Sequence, residues 1–80
     1  MSQNLTNNAL IYAILALNNE ITLQKEYLDS DEVPSDERDN EQGILDDLEQ
    51  AFMEFVDLYK SRCKNDKTLP GIDELINEQL

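Results

Sequence analysis

Eighty residues make one small domain, and 40% apolar content with two glycines and two prolines excludes a compositionally disordered chain. Eighteen Asp and Glu against six Lys and Arg give a net charge of −12. That balance argues against direct nucleic-acid binding and against an anionic membrane surface, and favours solubility, basic partners or cations. Histidine is absent and Cys63 stands alone, so the commonest general base and zinc ligand are missing and no internal disulfide can form. A reducing cytoplasm is the expected setting, with Cys63 a small apolar side chain near a helix end.

Met1–Asn4 is polar, and Thr6 is a good N-cap for a first helix, with Leu5 and Leu10 placed for a hydrophobic staple. The helix then enters Ala9–Leu17, nine apolar residues without a polar interruption. A helix apolar on every side needs cover from more than one direction. Nine residues fall short of the ~20 a membrane span requires. Nor does the stretch read as a signal peptide, since no Lys or Arg precedes it and Asn18-Asn19-Glu20 follows. Leu10, Ile14, Leu17, Ile21 and Leu28 form a heptad-like seam in which Gln24 is the one polar member, and Ile11 and Leu15 broaden its first half. The first helix is expected over about residues 7–28.

Residues 29–40 read as an acidic turn: Pro34 disfavours helix at Val33, and the polar run has nothing to bury. A second helix starts near 36 if Ser35 caps it, or near 41 if Asp39 does, and runs to about 64. Gly43 in its early turns costs ~1 kcal/mol relative to Ala. Its seam is Leu45, Leu48, Phe52, Phe55 and Tyr59, widened by Ile44, Ala51, Val56, Leu58 and Cys63. Lys60, Arg62 and Lys64 fall in the last turn, where cations favour the helix dipole. A short third helix over about 70–79 opens with Pro70, Asp73 and Glu74, and presents Ile72, Leu75, Ile76 and Leu80 on one face.

The pattern predicts an all-α fold, an antiparallel helical hairpin plus a short C-terminal helix, in a single domain over residues 1–80. Leu10 should meet Tyr59, Ile14 Phe55, Leu17 Phe52, and Ile21 Leu48. One short helix folding back over Leu10, Ile11 and Leu15 cannot cover the apolar half, and a domain this small gains only ~3–5 kcal/mol from one core. A homodimer with a four-helix-bundle core is therefore expected, with the first helix at the interface. Its core and interface residues are Leu10, Ile11, Ile14, Leu15, Leu17, Ile21, Leu48, Phe52, Phe55 and Tyr59.

The charge is polarised. Between Glu26 and Glu49 stand eleven acids and one base, Arg38. Asp29, Asp31, Glu32, Asp36, Glu37, Asp39, Glu41, Asp46, Asp47 and Glu49 make a candidate surface for a basic protein partner. An EF-hand loop opened at Asp29 would put Val33, Pro34 and Asn40 at the fifth, sixth and twelfth positions, where it needs a ligand, Gly and Glu. Glu54 and Asp57 share one helical face, the spacing used by Mg²⁺-dependent all-α nucleotide pyrophosphatases, but no second cluster accompanies them. No nucleophile, base and oxyanion donor can be assembled, so no catalytic residue, metal ligand or cofactor is assigned. The expectation is a non-enzymatic interaction or regulatory module. The alternatives are an acidic nucleic-acid mimic that blocks a DNA- or RNA-binding protein, and a carboxylate–metal enzyme acting on phosphates. Helical-hairpin dimers and small acidic immunity or DNA-mimic proteins have a similar general character, a likeness of shape and charge only.

Overall fold

A computed structural model describes residues 5–77, which form α1 (Asn7–Asp29), α2 (Arg38–Asn65) and α3 (Ile72–Asn77), with no strand among them. Residues 1–4 and 78–80, and with them Leu80 as part of the third helix's apolar face, lie outside the described residues. α1 starts where its cap dictates. The Thr6 hydroxyl accepts a 3.0 Å hydrogen bond from the Ala9 amide, while Leu5, the outer member of the expected staple, stays exposed. The hairpin is antiparallel. Arg62 at the end of α2 donates to Asn7 Oδ1 at the start of α1 (2.9 Å), and Gln24 near the end of α1 donates to the Glu41 carbonyl in the first turn of α2 (2.9 Å).

Two apolar clusters hold the hairpin. Near the turn, Ile21, Leu28 and Leu45 are buried, with Leu48 and Phe52 against them. At the other end Leu10, Ile14, Val56, Tyr59 and Leu75 join all three helices, flanked by Ile11, Leu15, Phe55, Cys63 and Ile72. Leu10, Ile14 and Tyr59 are fully buried.

Here the structure keeps Leu45 and Tyr59 of the expected seam and departs from it at Val56. The deepest residues of α2 are Leu45, Val56 and Tyr59, whereas Leu48, Phe52 and Phe55 are only half-buried. α3 is the reason. Leu75 packs beside Val56 and Tyr59 in the same cluster, so that end of α2 lies between two neighbours and Val56 is drawn into the core. Leu17, expected against Phe52, is half-buried and belongs to neither cluster.

The apolar stretch of α1 is not covered on every side within one chain. Tyr12 is 65% exposed, and Ala9 and Ala16 are exposed on the same outer face. Ile11 and Leu15 are half-buried beside the α3-containing cluster. The acidic turn also buries something after all. Val33, at a bend before Pro34 and outside both helices, is 7% exposed. α2 begins after Glu37, with neither Ser35 nor Asp39 as its cap. The Glu37 amide instead donates to the Pro34 carbonyl (3.0 Å), so a turn through 34–37 delivers the chain into the helix. Gly43 sits inside α2 with open space where a Cβ would stand, so it serves no close approach.

Tyr59 fixes the return of the chain. Its hydroxyl donates to the Pro70 carbonyl at 2.6 Å, eleven residues on, while its ring fills the centre of the larger cluster. Asp66 shapes the connection by accepting from the Thr68 amide (3.0 Å) and hydroxyl (2.5 Å). These bonds hold its carboxyl below the usual range. Burial pushes the Tyr59 phenol from the ordinary 10.0 up to about 12, with Cys63, Glu74 and Asp66 acting in the same direction.

Tyr59→Phe should cost about 1 kcal/mol near neutral pH, since it leaves a carbonyl without its donor, as urea unfolding would show. The phenol adds a pH signature. Below pH 10.0 it is neutral in both states; above that the unfolded chain ionises while the folded one resists up to about 12. The stability Tyr59 contributes is therefore complete below pH 10.0 and lost as pH rises through about 12, and the gap between wild type and Tyr59→Phe should narrow over that window. A gap independent of pH would show that the hydroxyl is not buried as described.

Candidate functional site

The acidic end is built by the 30–37 connection. Ser30 closes α1: its hydroxyl donates to the Tyr27 carbonyl (2.6 Å) and accepts from the Glu32 amide (3.2 Å). α1 has no cation in its last turn, and Arg38 supplies one from the opposite helix. The Arg38 guanidinium donates to the carbonyls of Leu28 (3.0 Å) and Ser30 (3.5 Å). It thereby satisfies a terminal carbonyl and sits at the negative end of the α1 dipole. The base that sequence places among the acids is thus engaged with the backbone.

The ten acids fall into two groups. Three have local partners: Glu41 accepts from Gln24 Nε2 (2.9 Å), Asp46 from Gln42 (3.1 Å), and Glu49 lies 3.7 Å from the Lys25 ammonium. Asp29, Asp31, Glu32, Asp36, Glu37, Asp39 and Asp47 are exposed, and no side-chain hydrogen bond or ion pair engages their carboxylates within the described residues. All but Asp47 crowd the turn and its two flanking helix ends, a concentrated negative field on one end of the hairpin. Glu49 and Lys25 are both well exposed, so their pair contributes little to stability.

Among the described residues no three His, Cys, Asp or Glu side chains are grouped closely enough to hold a metal ion. Glu54 and Asp57 are exposed on the outer side of α2, and Glu54 accepts from Gln50 (3.2 Å). At the opposite end of the molecule, Lys60 and Cys63 of α2 face Ile72, Asp73 and Glu74 across an open groove of about 400 Å³. Cys63 is half-buried there, its sulfur 3.8 Å from the Pro70 carbonyl. Arg62 commits one Nη1 hydrogen bond to Asn7. No described helix is long and apolar enough to cross a membrane.

Two residues of this end carry more than sequence reading gave them. Gln24 interrupts the α1 seam, and its amide binds both the backbone and the side chain of Glu41. A polar residue inside an apolar heptad series is the signal, since such a position often fixes register. Arg38 had a fainter one: a single base among many acids.

Compared with known families, curated proteins and solved structures, the chain matches none.

Arg38→Ala should lower unfolding stability by about 1 kcal/mol, through a lost charge-assisted cap on α1 and one more uncompensated negative charge. Lys25→Ala, which removes only the exposed pair, should change it by less than about 0.5 kcal/mol. Equal effects in chemical denaturation would mean that Arg38 acts through bulk charge alone.

Proposed function

We propose that this chain is a non-enzymatic interaction module. Its acidic tip meets a basic protein partner, and its hairpin pairs with a second copy to complete a four-helix core. The observation carrying the first part is the unengaged state of the tip carboxylates beside an Arg38 whose guanidinium is turned onto the backbone. Acids neutralised within the chain have no need of a partner; these retain a field that steers a basic surface in and fixes its orientation. The pairing is supported by exposed apolar side chains along both long helices, among them Leu23, Ile44 and Leu58, in a fold whose smallest Cα extent is 15 Å. Such a surface, on a domain with a small core, is better buried than left in water.

The test is binding to polylysine at two ionic strengths. One variant neutralises Asp29, Asp31, Glu32 and Asp36; a second, matched in net charge, neutralises Glu20, Asp57, Asp73 and Glu74, all exposed elsewhere. Tip neutralisation should weaken binding several-fold more than the matched control, and added salt should erase the difference. Equal weakening by both variants would mean that only total charge matters and that the tip is no docking surface.

A further inference from the structure

On this reading of self-association, the chain carries an interface that can be located. α2 has α1 along one side and α3 against Tyr59 and Val56 on another. A third line of side chains is open at its ends and middle, while Leu48 and Phe55 on it also rest against the two core clusters. Ile44, Leu48, Ala51, Phe55 and Leu58 recur at spacings of four, three, four and three, a second heptad seam beside the one that faces α1. Ile44 is 42% and Leu58 41% exposed, and the three between them are half-buried. A shallow groove of about 240 Å³ lies over Ala51, Phe55 and Leu58, with Glu54 at its edge.

This seam is nearly its own mirror. Ala51 stands at the middle, and large apolar residues follow in both directions at matching distances. The ends complete the pattern. Continuing the same spacing reaches Glu41 and then Glu37 at the N-terminal end, and Arg62 at the C-terminal end. Two copies laid antiparallel across a two-fold axis at Ala51 would bring Ile44 to the partner's Leu58 and Leu48 to the partner's Phe55. Arg62 would approach the partner's Glu41 and the partner's Glu37. A parallel pairing would instead set acid on acid and Arg on Arg. A small residue at the axis lets the two helices approach closely, as an isologous contact requires.

We propose that this α2 face, and not the outer face of α1, is where a second copy docks, antiparallel and centred on Ala51. Charge complementarity between the seam's two ends selects the second copy and its direction. An opposing contact comes with it, made twice by the two-fold symmetry. Asp47 and Glu54 flank the seam on the same edge, so each lies near the other's counterpart across the axis.

The full chain tests this by sedimentation equilibrium and by crosslinking. In a Cys63→Ser background, Ala51→Cys should form an intermolecular disulfide under mild oxidation, whereas Ala16→Cys on the outer face of α1 should not. Asp47→Lys turns two repulsions into two attractions and should tighten the dimer about fivefold or more. Asp47→Lys/Glu54→Lys should return it toward wild type, although the double variant is less negative overall. Circular dichroism confirms that each variant is folded. A dimer without the Ala51 crosslink, or one tightened further in the double variant, overturns this interface and leaves self-association standing. A wild-type monomer at every concentration overturns both.

Discussion

The structure depends on one buried contact, the Tyr59 ring between Leu10, Ile14 and Val56 with its hydroxyl on the Pro70 carbonyl. A two-helix hairpin has only one line of contact, which is marginal for a chain of this length. Tyr59 adds a third element to it. The aromatic body joins the apolar cluster, and the polar tip satisfies a carbonyl in the connection that would otherwise be starved of a donor as α3 folds over it. With Pro70 held, Leu75 falls into the cluster and Ile72 beside it. The same step decides what stays open. Because α3 occupies one side of α2, the line through Ile44, Ala51 and Leu58 is left uncovered, and the acidic turn projects from the far end with only the smaller cluster beneath it.

Much of this was legible in the residues. Thr6, the alternation from Leu10 to Leu28, and Pro34 within an acidic run announce a capped helix, an apolar face and a turn; each is a local signal read with local rules. What sequence missed is decided between elements. The apolar arc of α2 is wide enough to contain several ladders of alternating three and four, and periodicity cannot choose among them. At the end of α2 beside α3, Leu75 draws Val56 inward, and Phe55 is left half-buried. Arg38 as a cap for α1 depends likewise on two chain segments meeting across the connection. The start of α2 was bracketed by two capping rules and obeys neither, since the 34–37 turn sets the direction of entry.

Charge and apolarity are thus divided along the molecule rather than mixed over it. The tip gathers carboxylates without internal partners, while Arg38 and Gln24 brace the backbone beneath them. The candidate site shows in the sequence as clustering; its availability does not, because that rests on where one guanidinium points. The acidic residues that sequence grouped together differ in state, with Glu41, Asp46 and Glu49 held by neighbours and the turn acids free.

Native-state amide hydrogen exchange tests the central role of the Tyr59 cluster most directly, because it ranks local stability along each helix. The account predicts the slowest exchange around Leu10–Ile14 in α1 and Val56–Tyr59 in α2, with faster exchange toward Leu28 and Leu45 near the turn. Slowest exchange at the turn end, with the Tyr59 end opening first, would contradict it.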